Sequence, residues 1–197
     1  MNYKKSIILK DGTECCLRNA TCKDAEGILE NFNLTHRQTD YLLSYPDESN
    51  FSLEQEIEFL NDKNDNPKEI LIAALIEGKV VGTAGIETVG KNYKVLHRVS
   101  FGIGIDKAYW GLGIGKQLTK TCIECAREAG HTQLELEVVS ENTHAISMYK
   151  KTDLLNTGGI PEASIRVYPD FRNLYTCCWS FKDEVFCTAN MGKLFFI

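Results

Sequence analysis

The sequence predicts a mixed α/β domain of the α+β type, with helices packed on a mostly antiparallel sheet. Three observations carry that expectation. Short apolar or alternating runs are joined by tight turns at Glu77-Gly78-Lys79 and Gly90-Lys91-Asn92, the mark of antiparallel neighbours. Helical periodicity recurs behind recognisable caps at four places between Thr21 and Lys150. An alternating segment, His97–Ile105, runs through the glycines Gly111, Gly113 and Gly115 straight into one of those helices. The 197 residues suit one domain, 1–197, large enough to bury a core.

Taken in order, Glu14–Arg18 is a short strand. Thr21 with Asp24 three residues on starts a helix whose apolar face is Ile28, Leu29 and Phe32. From Asn33 to Asn50 the chain reads as loop or irregular helix. Ser52 and Gln55 form a capping box for a second, short helix with Leu53, Ile57 and Leu60, expected to end in the polar run Asn61–Pro67. Glu69–Glu77 is apolar enough for a strand buried on both faces, and Val80–Val89 follows it through the hairpin. After the glycine corner, Ile114, Leu118, Cys122 and Ala126 lie on one helix face, and Gly130 stops that helix near Ala129. Leu134–Val138 alternates as a strand, Asn142 caps a short helix, and Leu154–Phe181 holds two strand-like runs. The apolar tail Leu194–Ile197 suits an edge strand, a homodimer contact or an unstructured end equally well.

Composition narrows the function. A formal net charge of -5 disfavours nucleic acid and suits a cationic or amine partner. The amino-terminal apolar run is too short for a signal peptide and no window suits a membrane helix, so a cytoplasmic protein acting away from membranes is expected. Of the eight cysteines, Cys15-Cys16 and Cys177-Cys178 are sequence neighbours, and the single C-x-x-C, Cys122 and Cys125, falls inside a helix. They read as reduced structural thiols with no metal site, ahead of the alternative of a zinc site that would add His131 to Cys122 and Cys125. The acids between Asp24 and Asp65 read as a solvated helix face, the alternative being a surface turned to a cationic substrate.

A strand, a glycine turn and a helix start together build an anion corner. Glycines remove side chains where a ligand approaches the backbone, and the free N–H groups of the first helical turn point at it. A P-loop is excluded: counting back five from Gly115 reaches Trp110, and Gln117 stands where Ser or Thr must hold magnesium. A dinucleotide fingerprint also fails, because Lys116 replaces its third glycine and no repeated parallel βαβ pattern surrounds it.

Tyr109-Trp-Gly-Leu-Gly-Ile-Gly115 resembles the coenzyme A signature of the GNAT superfamily of acetyl-CoA-dependent N-acetyltransferases, [RQ]-x-x-G-x-[GA], with Trp110 in place of Arg or Gln. Asn142-Thr-His-Ala-Ile-Ser-Met-Tyr149 is similar to the family's N-x-x-A-x-x-x-Y helix, and Leu17–Asp24 to its first strand and helix start. The family's Gly-Phe pair after that helix is replaced by Thr152-Asp153-Leu154.

The resemblance implies a central sheet with helices on both faces, splayed between the family's fourth and fifth strands. It implies that Trp110, Gly111, Leu112, Gly113, Ile114, Gly115 and Lys116 hold the pyrophosphate of acetyl-CoA, chiefly through backbone N–H groups. Ile103, Gly104 and Ile105 would bond the pantetheine through the main chain. Asn142 either adds a hydrogen bond to it or caps its own helix. Tyr149 is expected to be the general acid that protonates the departing thiolate. Glu87 and His97 are the candidates to take the proton from the amine, with Glu135 and Glu137 behind them. His36, His131 and His144 have no supporting context. The expected reaction is direct acetyl transfer to a primary amine, a small molecule before a protein N-terminus. The alternative is a domain that binds acyl-CoA without turnover.

Overall fold

A computed structural model describes residues 1–44, 48 and 51–152, together with the backbone of three strands beyond them. Nine strands and four helices follow one another as β1 (Lys4–Ile8), β2 (Glu14–Asn19), α1 (Ala25–Gln38), α2 (Leu53–Asp65), β3 (Ile70–Ile76), β4 (Lys79–Thr88), β5 (Arg98–Ile105), α3 (Ile114–Glu128), β6 (Gln133–Val139), α4 (Thr143–Lys151), β7 (Glu162–Tyr168), β8 (Cys178–Trp179) and β9 (Val185–Phe186) among the described residues. β1 to β7 form one sheet in chain order, and β8 pairs with β9 separately. Pairs are antiparallel from β1 to β5. β5, β6 and β7 run parallel, each step crossing over through a helix, as parallel neighbours require.

The turns and caps account for the element bounds. Glu77 and Gly78 both have positive φ, 49° and 82°, which suits a tight β3–β4 hairpin. Ser52 accepts from the Gln55 N–H while Gln55 returns a bond to the Ser52 N–H, so α2 begins at the capping box. α2 ends at Asp65, inside the polar run where the sequence places its end, and α1 extends to Gln38 into the stretch read as irregular. In the polar end of α2, Asn64 donates to the Ala20 carbonyl and Lys63 turns inward to Glu69. These tertiary bonds replace the missing apolar signal. β1 was not expected at all. It pairs with β2 through a turn containing Asp11 and Gly12 (φ 89°), and it buries Ile7, with Leu9 buried just beyond it. The runs beyond 152 coincide with strands at 162–168 and 178–179; the rest of them, and the Leu194–Ile197 tail, lie outside the described residues.

Side chains alternate across the sheet and build two cores. On one face α3 lays Ile114, Leu118, Cys122 and Ala126 against Ile72, Ala84, Ile86, Phe101 and Leu136. On the other, Ile28 of α1 and Leu60 of α2 pack with Ala73, Leu75 and Val80. Cys15, Cys122 and Cys125 are buried free thiols, and burial pushes Cys15 and Cys125 up to about 11, leaving them neutral. His131 is buried too, bonded through Nε2 to the Lys68 carbonyl.

The acidic stretch divides. Glu54, Glu58 and Asp62 are exposed, as expected of a solvated face, but Glu56 is 0% exposed. Neither of its carboxyl oxygens has a hydrogen-bond partner among the described residues, and burial raises the group to about 7. Below the unfolded value of about 4.3 both states are protonated and the contribution is complete. As pH rises from there to about 7, the unfolded chain ionises first and stability falls, by on the order of 3 kcal/mol. Glu56→Gln should therefore match the parent in urea unfolding at low pH. It should be the more stable of the two above neutrality.

Candidate active site

β5 and β6 are paired at only four positions, Arg98–Gln133 to Phe101–Leu136. Beyond them β5 stays with β4 as far as Ile105–Gly82, and β6 stays with β7 as far as Val139–Tyr168. The sheet forks. The Asp106 N–H donates to the Val81 carbonyl, and the Arg98 carbonyl accepts from Val89, so even-numbered positions of β5 turn their polar groups to β4. Odd-numbered Ile103 and Ile105 turn theirs to the open side. The Ile103 main chain and the Ile105 N–H therefore face the open side with no β6 partner.

The corner at the end of this edge is held from two sides. The Asp106 carboxylate accepts from the Ala108 N–H and from Gln38 Nε2 at 2.9 Å, while the Gln38 amide oxygen takes the Lys107 N–H. The last residue of α1 thereby fixes the start of the turn. On the other side, Lys10 donates from Nζ to the Gly111 carbonyl at 2.8 Å and from its own N–H to the Leu112 carbonyl.

The three glycines do different work. Gly111 and Gly113 have φ of 81° and 102°, and a Cβ on either would meet nothing within 4 Å, so they are needed for conformation and face open space. Gly115 instead lets α3 approach: a Cβ there would lie 3.1 Å from Met148 Sδ and 3.3 Å from Ile105 Cδ1. Gly113 caps α3, leaving the first-turn N–H groups free at the positive end of the helix dipole. Ile114 is fully buried and Leu112 packs on the core, anchoring the turn, while Lys116 is exposed beside it.

Tyr149 comes from α4 to the crotch of the fork. Its ring meets Phe101, the last paired residue of β5, edge to face with centroids 6.3 Å apart. The residue is 5% exposed, its hydroxyl has no hydrogen-bond partner among the described residues, and burial pushes the phenol well above its ordinary value. A neutral O–H is therefore present throughout the range where amines and thiols titrate. The Asn142 side-chain oxygen accepts from the Ala145 N–H at 3.1 Å and so caps α4.

On the opposite sheet face a cleft runs over Gly85, Gly102 and Gly104, walled by Phe59, Lys63, Thr83 and Glu87. Glu87 reaches it but is ion-paired to Lys63, which also binds Glu69 at 2.7 Å. His97 is not brought to the site. It is exposed in the turn before β5, and from there to Gly102 the strand covers about 16 Å. Glu135 is held by Arg98 and Gln133. Glu137 is the first residue of β6 past the last β5 pair, on the same sheet face as Glu135.

Several residues here escape sequence reasoning. The Trp110 indole N–H donates to the Ile105 carbonyl at 2.7 Å and so occupies part of the open edge. Lys63 and Glu56 sit in phase with Leu60 on α2, and charged residues in an apolar phase were the available signal. Gln38 and Lys10 gave none, since their partners are far along the chain. Gly113→Ala should lower unfolding stability by about 1–2 kcal/mol through strain alone, and Gly113→Asn by less, measured in urea.

The family model described as Acetyltransferase (GNAT) family matches residues 33–153. The N-alpha-acetyltransferase RimI of Mycobacterium tuberculosis is 31% identical over 93 residues, covering 47% of this chain and 56% of the relative. The chain spans about half the length of the curated relatives it matches. A GNAT-family acetyltransferase from Streptococcus pneumoniae superposes with TM-score 0.66 at 29% identity, over 70% of this chain and 82% of that one. A Sinorhizobium meliloti phosphinothricin acetyltransferase, solved in complex with AcCoA, shares the fold with TM-score 0.61 at 18% identity over 73% of each chain. A forked sheet ending in a glycine corner, joined to a family match across most of the described residues, makes this chain a member of the GNAT acetyltransferase family.

Proposed function

We propose that the protein is an acetyl-CoA-dependent N-acetyltransferase that passes the acetyl group directly to a primary amine, a small molecule being the first acceptor class to test. The observation that carries this reading is the fork. β5 and β6 part after Phe101–Leu136, Tyr149 stands against that last pair, and the glycine corner closes the same open edge.

The residues fit the donor. N–H groups from Gly111 to Lys116 suit its pyrophosphate, with no side chain in front of Gly111 or Gly113. The Ile103 main chain and the Ile105 N–H suit the amides of pantetheine, and the Ile105 carbonyl joins them when Trp110 gives it up. Acetyl-CoA supplies an acetyl group already activated as a thioester. The amine loses its proton, the new C–N bond forms as the C–S bond breaks, and Tyr149 Oη holds the proton for the departing sulfur. The phenol is reprotonated from solvent.

For the proton leaving the amine, the placement favours carboxylates on the cleft face over His97. Glu87 suits holding a cationic acceptor, because its exchange of Lys63 for a substrate ammonium keeps the charge paired. The relative from Mycobacterium brings a protein N-terminus onto the acceptor panel as well.

The test is thiol release from acetyl-CoA across small amines, polyamines and N-terminal peptides. Tyr149→Phe should lower kcat by about 100-fold or more while KM for acetyl-CoA holds, since the ring still packs on Phe101. An unchanged kcat removes the acid role. Binding of acetyl-CoA with no amine turned over would support the acyl-CoA-binding module instead.

A further inference from the structure

We infer that Lys10, at the tip of the β1–β2 hairpin, is a positioning residue for the glycine corner and sets how tightly the pyrophosphate of coenzyme A is held. This rests on the coenzyme A reading above. Lys10 lies 101 residues from Gly111 and outside the segment 33–153 that the family model matches.

The geometry supports a brace. Lys10 holds two successive carbonyls of the corner, Gly111 through Nζ at 2.8 Å and Leu112 through its main-chain N–H at 3.2 Å. A peptide whose carbonyl is tied on one side presents the following N–H to the other. Fixing the carbonyls of Gly111 and Leu112 therefore aims the N–H groups of Leu112 and Gly113. The need is real, because Gly111 and Gly113 have positive φ and no side chain within 4 Å of where a Cβ would stand. Glycine is the residue with the most freedom to wander from such a conformation. The hairpin that carries Lys10 is itself fixed: Gly12 donates back to Leu9, and Ile7 and Leu9 are buried in the α3-side core. The brace thus connects the corner to the sheet by a route independent of α1, whose Gln38 secures Asp106 on the other side.

A preset corner and a loose one differ in the entropy lost when the phosphates bind. Lys10→Met keeps the stem and the main-chain bond but removes the ammonium. It should weaken CoA binding about five- to ten-fold by calorimetry. The KM for acetyl-pantetheine, which lacks the pyrophosphate, should hold. The weakening should persist in about 0.5 M salt, where attraction between exposed charges is screened, and Lys10→Arg should recover part of it. In the free protein, amide exchange across 111–115 should be several-fold faster in Lys10→Met.

A CoA affinity equal to the parent's overturns the inference, as does a loss that vanishes in high salt, which would make Lys10 a plain surface charge. If the parent itself fails to bind CoA, the proposed function falls. The exchange rates at 111–115 then decide the brace alone: faster exchange upholds it and parental exchange ends it.

Discussion

The structure depends on the separation of two parallel strands. β5 and β6 share four residue pairs and then each keeps only its outer neighbour, β4 on one side and β7 on the other. Buried main-chain N–H and C=O groups need partners, so a fork in the middle of a sheet is costly unless something fills it. Here the candidate site residues gather round that gap. Tyr149 stands at its base, the glycine corner closes its end, and the Trp110 indole supplies one of the missing bonds.

Keeping the gap open requires that neither strand drift back, and the two cores account for this. β5 is fastened by its α3-side residues Val99 and Phe101, and by the clasp in which Gln38 holds Asp106. β6 buries Leu134, Leu136 and Val138 in the same core. Gly115 allows α3 to sit close to both Met148 of α4 and Ile105 of β5, so one helix spans the two arms. On the far face, Lys63 collects Glu69 and Glu87 at the ends of adjacent strands, which places charge beside the cleft without leaving it unpaired.

Much of this was legible in the residues. The capping box at Ser52, the alternation of β6, the three glycines and the Asn142–Tyr149 spacing each describe local geometry, and local geometry is what periodicity reports. The positions that stayed hidden are set by register or by distant partners. Nothing in Phe101 says that it is the last paired residue of its strand. β1 gives no clear signal because only Ile7 of it is buried, the signature of an edge strand with one covered side. The exact end of α2 within its polar run is set by Lys63 and Asn64, which are held by partners far along the chain rather than by apolar burial. Gly115 looked equivalent to Gly111 and Gly113, and only packing separates it from them.

The bond between Trp110 and the Ile105 carbonyl has an optical consequence. Indole emission responds to the loss of a hydrogen bond and to a change of solvent exposure, and this ring is 41% exposed at the mouth of the fork. Anything that pairs with the Ile105 carbonyl must first compete with it. The chain has two tryptophans, Trp110 and Trp179, so replacing Trp179 by Phe leaves Trp110 on the open strand edge as the single tryptophan. The protein then carries its own gauge of whether that edge is occupied.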